Sequence, residues 1–326
     1  MILARAINTA LVLGTIAFVV PASAVNTQDY PTRPITLVLP FNPAGVVDVV
    51  ARRLQPTVSQ YLKQPIVIDY KPGAGGVIGT RTMKNAAPDG YNLMMVNNSV
   101  MAINPHLIDN VQFDPIADFT PITMMVSFSH ILVLPKDSTI KSVDELVTRA
   151  KSEKGLNYAS QGIGSGGHLI GEMFRAKSGA RFNHIPYRGA AAAMQDLLAG
   201  RVDLDFDAVS NVTPHVNAGT LRALATTASK RLAQYPDLPT MAELGYEGVQ
   251  SDAWFALFAP AGTPQPIIRR LNAEFGKALR DAAVADPLRQ LGLEVAPGTP
   301  EELAATLGAD LERLGPLVRT MRADKK

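Results

Sequence analysis

Short runs of consecutive apolar residues recur along this chain, each followed by a segment with helical spacing. That alternation limits the fold more than any other feature. The first run is Ile35 to Pro40, ITLVLP. An unbroken apolar run signals a strand buried on both faces, whereas a strand with one wet face alternates. The loop Phe41 to Val47 then leads into a helix-patterned segment with Val49, Val50, Leu54, Val58 and Leu62 as its apolar positions. Ile66 to Ile68 is a second run, the Gly-rich turn Pro72 to Gly76 opens a helix through Gly79 to Ala86, and Tyr91 to Val96 is a third run. A β-α-β-α-β rhythm of this kind predicts a parallel sheet.

The pattern changes after an irregular stretch, Val111 to Thr120. Pro121 to Pro135 reads as a crossing strand, its ILVLP echoing the LVLP of residues 37–40. A capping box, Ser142 with Glu145, opens a helix. Strands at Asn157 to Ser160, Phe182 to Pro186, Val202 to Phe206 and Ala223 to Thr227 then alternate with helices from Ser165, over Ala191 to Ala199 and over Thr213 to Ala218. Ala253 to Pro260 (AWFALFAP) is apolar again. Helical stretches Pro264 to Arg280, Ala282 to Leu291 and Pro300 to Met321 return to cover the first unit. The expected fold is α/β with two lobes, residues 25–126 plus 250–326 and residues 127–249. Short crossing strands between them form a hinge.

The N-terminus has its own signature. Met1 to Asn8 carries one charge, Arg5; an apolar run follows from Ala10 to Val20, and then Pro21-Ala22-Ser23-Ala24. This is the layout of a cleavable signal peptide ending at Ala24. The apolar core, roughly ten residues, is too short to cross a bilayer. Removal of 24 residues from 326 leaves 302, enough for two ordinary domains. The expected location is outside the cytoplasm.

Charge and cysteine content exclude several classes. The formal net charge is +2 and the 31 Lys and Arg are scattered, so there is no basic face for a nucleic acid. With no cysteine there are no disulfides, thiolate metal sites or thiol nucleophiles. The five histidines (His106, His130, His168, His184, His215) lack metal-binding spacing, and no G-x-S-x-G elbow surrounds Ser165. No metal and no cofactor are expected, and no catalytic residue is assigned.

In parallel α/β sheets ligands sit beyond the carboxyl ends of the strands, and four loops qualify. Phe41-Asn42-Pro43-Ala44-Gly45-Val46-Val47-Asp48 precedes a helix whose free amides suit an anion. Asp48 stands at the expected N-cap and is either a cap or part of a site. Gly162-Ile163-Gly164-Ser165-Gly166-Gly167-His168 has the G-x-G-x-x-G spacing after a strand. The acidic residue that would hold a ribose about twenty positions on is missing, since residues 181–185 read RFNHI, so a dinucleotide is not expected. Arg188, in Tyr187-Arg188-Gly189, is either a cationic partner or a solvated charge. Asp207, at a strand end, either accepts a ligand donor or caps the next helix.

Taken in order, these loops resemble the Bug-type extracytoplasmic solute receptors of the tripartite tricarboxylate transporter family. The residues that carry the resemblance begin with YPTRPITLVLPFNPAG and Asp48, then Tyr70 to Gly76, Ala87-Pro88-Asp89-Gly90-Tyr91 and Ile103-Asn104-Pro105. They continue with NYASQGIGSGGHL, Ile185 to Gly189, Gly200-Arg201-Val202-Asp203, Leu221 to Ala225 and AWFALFAPAGTP. The resemblance implies a type II periplasmic-binding-protein fold whose lobes close on a small organic acid, and it narrows the expected location to the periplasm. It implies one carboxylate at Phe41, Asn42, Ala44, Gly45, Val46, Val47 and Asp48, partly through waters. The other falls to Ser160, Gly164, Ser165, Gly166, Gly167 and His168. Tyr187, Arg188, Asp207, Asn97 and Ser99 would line the space between, with Phe128 at the crossover adding a ring.

The chain departs from the family's usual first loop, PPGGATD-like, in having Ala44 for a glycine and Val47 for the threonine. A hydroxyl is lost and apolar surface gained, which points toward an aromatic or long-chain mono- or dicarboxylate, terephthalate for instance, and away from amino acids. The implied partners are the acid and inner-membrane permease subunits, with the receptor monomeric. The alternatives are a periplasmic receptor that signals to a kinase, and a periplasmic enzyme needing a nucleophile–base pair that the sequence does not display.

Overall fold

The computed structural model describes residues 30–152, 154–250 and 252–323. The expected signal peptide, residues 1–24, lies outside the described residues.

The first unit opens with β1 (Ile35–Leu39), α1 (Val46–Leu62), β2 (Ile66–Tyr70), α2 (Val77–Lys84) and β3 (Asn92–Asn97). A π-helical turn at Ser99–Ile103 runs into α3 (Asn104–Leu107), and β4 (Phe119–Phe128) ends this half. The chain then crosses into β5 (His130–Pro135), α4 (Val143–Ala150), β6 (Leu156–Ser160), α5 (Gly166–Ser178), β7 (Phe182–Pro186), α6 (Ala190–Leu198), β8 (Leu204–Ala208), α7 (Val209–Asn217) and β9 (Leu221–Thr226). It returns through β10 (Ala253–Pro260), α8 (Gln265–Arg280), α9 (Ala282–Gln290), β11 (Glu294–Val295) and α10 (Pro300–Ala323).

Among the described residues the strands form two sheets, β11-β4-β10-β3-β1-β2 and β7-β6-β8-β5-β9. Both repeat one plan. In the first, β1 pairs in parallel with β2 and β3, and β10 inserts antiparallel between β3 and β4. In the second, β6 pairs in parallel with β7 and β8, and β5 inserts antiparallel between β8 and β9. The fold is therefore two α/β lobes facing a cleft, as the strand rhythm predicts.

The continuous crossing strand expected over 121–135 is instead two strands, one in each sheet, with the break at Ser129. The Ser129 carbonyl accepts the Val209 N–H at 3.1 Å, so the α7 start takes a backbone group that would otherwise continue a ladder.

The cores follow from the apolar runs. Leu37, Leu93 and Leu257 of the first sheet pack with Val50, Leu54 and Val58 of α1 and Ile267, Leu271 and Phe275 of α8. On the opposite face Trp254 and Phe258 pack with Leu303, Leu307 and Leu314 of α10. In the second sheet Leu132, Tyr158 and Phe206 pack under α5 through Ile170 and Phe174. All eight residues of β10 are buried, which is why that strand is continuous in apolarity. Among the described residues no helix is long and apolar enough to cross a membrane.

Candidate ligand-binding cleft

A cleft of about 900 Å³ lies between the sheets, at the carboxyl ends of β1, β6, β7 and β8. That is the crevice where parallel sheets present helix starts to a ligand, and the volume suits a small molecule.

One wall is the loop after β1. Phe41, Asn42, Ala44, Gly45, Val46 and Val47 all line the cleft. The N-cap of α1 is Gly45, not Asp48 as the sequence suggests, and it carries no side-chain cap. The first intrahelical bond is Asp48 N–H to Gly45 O, 3.0 Å, so the amides of Val46 and Val47 precede the ladder. Asp48 lies one turn behind the cleft surface and does not line it. Its carboxylate accepts from the Ala44 N–H (2.8 Å), Arg52 Nε (2.8 Å) and Tyr70 Oη (2.6 Å). Burial alone would raise its pKa, but these hydrogen bonds and the Arg52 charge hold it below the usual aspartate value. Asp48 thus fixes the loop's shape. Ala44 needs that support, because its φ of +68° is in the left-handed region that favours glycine.

The opposite wall is the start of α5. Ser165 is its N-cap and accepts from the His168 N–H at 3.3 Å. Gly164, Ser165 and Gly166 line the cleft, but Gly167, His168 and Ser160 do not. Gly167 is turned toward β8: a Cβ there would stand 2.5 Å from the Phe206 carbonyl oxygen. His168 is buried and holds the loop from behind, Nδ1 accepting from the Gly164 N–H at 3.1 Å and the ring stacked on His184 at 4.1 Å. Ser160 is fully buried on the same strand face as Tyr158, with Oγ 2.6 Å from His184 Nε2. That spacing is the one a nucleophile–base pair needs. Ser160 has no opening to the cleft, so the contact is structural.

Tyr187, Arg188 and Asp207 line the space between the walls, as do Asn97, Ser99 and Phe128. Tyr187 Oη donates to Asp196 (2.8 Å); burial and that bond push its phenol up to about 12. Asn97 Oδ1 accepts from the Val100 N–H (3.1 Å), which shapes the π-helical turn. Phe128 stacks on Phe255 with centroids 5.6 Å apart, and Phe41 meets Phe255 edge-on at 6.0 Å. These three rings give the space between the walls an apolar side, beside the polar Asn97, Ser99, Tyr187, Arg188 and Asp207.

Several lining residues escape sequence reading: His130, Gln161, Asn211, Phe255 and the turn Pro72 to Gly76. His130 is enclosed, and burial pushes its imidazole down to about 4, so it is neutral at pH 7. Gln161 and Asn211 donate to Asp207 Oδ1 at 3.1 and 3.0 Å. Strand parity points to Gln161, which is two residues from Ala159 and faces the α6 and α7 side of the sheet. His130 and Phe255 carry no local signal, because each packs on Phe128 only where the two sheets come together. Among the described residues no cluster of His, Asp or Glu is arranged to hold a metal.

The rims touch. Asn42 Nδ2 reaches the Arg188 carbonyl oxygen at 3.5 Å. A Cβ on Gly164 would stand 2.6 Å from Asn104 Oδ1 and 2.9 Å from Leu107 Cδ2, both on α3 of the other lobe.

Two α/β lobes of one plan, each presenting a helix start to a shared cleft, define a solute receptor. The chain belongs to the tripartite tricarboxylate transporter receptor family: the pattern described as "Tripartite tricarboxylate transporter family receptor" matches residues 50–322. That family consists of receptors, not enzymes. Among solved structures, the periplasmic binding protein BugD is 34% identical with a TM-score of 0.84, the alignment covering 89% of this chain and 98% of BugD. MatC from Rhodopseudomonas palustris with bound malate is 32% identical, TM-score 0.84, covering 89% of this chain and 100% of MatC. A second R. palustris protein, with adipate, is 32% identical, TM-score 0.84, covering 89% and 98%. This chain is thus a Bug-type receptor.

Proposed function

We propose that the protein is an exported periplasmic receptor that captures a small organic acid between its lobes and delivers it to the permease of a tripartite tricarboxylate transporter. The observation that carries this reading is the pair of helix starts facing one cleft, α1 at Gly45 to Val47 and α5 at Ser165 to Gly166. The amides left outside the ladders are those of Val46 and Val47 at α1 and of Gly166 at α5, since the Ser165 amide donates to the Gly162 carbonyl at 3.1 Å; with the helix dipole they favour an anion by about 0.3–1 kcal/mol at exposed sites and up to ~2 kcal/mol when partly buried. Two such ends suit two carboxylates. The malate and adipate held by the structural neighbours are acids of that class.

The rings of Phe41, Phe128 and Phe255 and the side chain of Val47 give the cleft an apolar side. This favours an acid with a flat or aliphatic centre, an aromatic or long-chain dicarboxylate, over an amino acid whose ammonium needs acceptors. Capture proceeds by lobe closure, residues 25–126 with 250–326 moving against 127–249 about the two crossings. The rim contacts of Asn42 with Arg188 and of Gly164 with Asn104 support a closed arrangement that the ligand stabilises through contacts to both lobes.

Calorimetry with malate, adipate, terephthalate, citrate and glutamate tests the reading, with mass spectrometry of natively purified protein. Tight binding of adipate or terephthalate is expected. Binding of glutamate alone would sink the apolar-acid assignment, and binding of none of these acids, with no acid retained on purification, would sink the receptor reading itself.

A further inference from the structure

Beneath the cleft floor lie two carboxyl groups without charge partners. Asp205 and Asp207 are two residues apart on β8 and share one face of the sheet. Both are essentially inaccessible, at 0% and 1% exposure. Three of their four oxygens, both of Asp205 and Oδ2 of Asp207, have no hydrogen-bond partner; only the adjoining Phe206 amide gives Asp205 weak polar compensation. Asp207 Oδ1 takes three donors, Gln161 Nε2 (3.1 Å), Ala208 N–H (2.7 Å) and Asn211 Nδ2 (3.0 Å). Asp207 also borders the cleft.

The surroundings supply no cation. From β5 the neighbours of the pair are Ile131 and Val133, and from β6 Ala159. From α6 Ala193 and Leu197 share the buried cluster, and from α7 Asn211 reaches Asp207. The titratable groups nearby are Tyr187, engaged with Asp196; Tyr158, engaged with Glu172; and His130, which borders the same cleft. Among the described residues no lysine or arginine acts on either carboxyl. Two ionised carboxylates coupled in an apolar setting repel one another, so Asp205, the more strongly raised, keeps a proton and the pair carries one charge.

Building on the acid-receptor reading, we propose that this receptor binds its acid together with a proton, taken up by the Asp205–Asp207 pair as the anion settles against Asp207. An anion brought to that wall adds negative charge beside the one the pair already carries, and a second proton on the pair removes the repulsion. Burial already pushes Asp207 up to about 6, and it pushes Asp205, further raised by Asp207, well above the usual range. A bound anion raises the pair again. Affinity is then full below the free-state value and falls as pH rises through it, by up to about tenfold per pH unit until the bound-state value is passed.

The test is calorimetry with adipate, or with malate or terephthalate if one binds tighter, in phosphate and in Tris at about pH 7.5, where these acids are fully ionised. Buffers with different ionisation enthalpies count the protons. The wild type should take up close to one proton per acid, and its Kd should rise between about pH 6.5 and 8. Asp207→Asn should bind with no proton uptake and a flat pH profile, with Asp205→Asn as the second variant and thermal unfolding showing that each is folded. Binding by the wild type without proton uptake overturns the proposal and leaves the receptor reading standing. Proton uptake that persists in both folded variants also overturns it. Failure of every acid to bind overturns the receptor reading and this proposal with it.

Discussion

Gly164 offers the most direct test of closure. It lies between β6 and α5 with φ at +83°, and an added Cβ would meet Asn104 Oδ1 at 2.6 Å and Leu107 Cδ2 at 2.9 Å. Gly164→Ala therefore carries two separable costs. The left-handed backbone costs roughly 1–2 kcal/mol whether the lobes are open or closed, and lowers stability. The clash with α3 arises only when the rims meet. Overpacking of this kind costs about 1–3 kcal/mol, which at 1.4 kcal/mol per decade is a roughly 5- to 150-fold loss of affinity. Gly179→Ala separates the two: its φ is +62° and nothing lies within 4 Å of its Cβ. Both variants should unfold at lower temperature than the wild type, and only Gly164→Ala should lose affinity, read by calorimetry with whichever acid the wild type binds. Wild-type affinity in a folded Gly164→Ala protein would refute the reasoning, as would equal losses in both variants.

Ala44→Gly should stabilise the protein by up to about 1 kcal/mol, because relief of the left-handed φ exceeds the ~0.5–1 kcal/mol entropy that glycine adds to the unfolded chain; chemical denaturation reads it. Asp48 titrates below its ordinary range in the folded state, so its stabilisation is complete above the unfolded value near 4 and is lost as pH falls through the folded one. Asp48→Asn should accordingly destabilise by about 1–3 kcal/mol at neutral pH, a gap that narrows in acid denaturation below about pH 4. Trp254→Phe removes the indole donor to buried Asp310 (2.8 Å) and should cost about 1–3 kcal/mol. Amide exchange should then accelerate in α10.

Legibility in the sequence followed locality. β10 is readable to the residue because eight successive buried positions lie between Asp252 and the Ala261-Gly262 turn. The helix starts at Gly45 and Ser165 are readable as loops after apolar strands, since cap chemistry sits within a few residues. The placement of Asp48 fails for a physical reason. Its side chain bridges back to Ala44 and across to Tyr70 on β2, and the second partner exists only once β1 and β2 pair. Ser160 and His168 are hidden by parity: Ser160 follows Tyr158 onto the α5 face, and His168 closes against His184 from β7. The break at Ser129 is invisible because the residues on either side are equally apolar; only the separation of the two sheets divides them.

The distribution of polarity across the cleft argues for how recognition is apportioned. Arg188 is exposed at the rim, so on the proposed acid-receptor reading its charge would steer an incoming anion and add little to the final affinity. On the same reading, binding strength comes from the helix-start amides, whose dipoles are fixed before the ligand arrives and need no reorganisation. The ring cluster of Phe41, Phe128 and Phe255 lines the same cleft, and the rings themselves offer no polar partner, His130 packing beside Phe128 at 5.6 Å. A ligand that puts a hydroxyl or ammonium against the rings loses water without replacement, a cost of about 1–3 kcal/mol per group. The same rings gain roughly 25 cal/mol for each Å² of apolar ligand surface they cover. Selection among dicarboxylates on this reading is made by the middle of the molecule, and the two carboxylates set only its length. Phe255→Ser should therefore narrow the gap between adipate and a hydroxylated acid such as malate. A uniform loss for both acids would show that the rings serve packing alone.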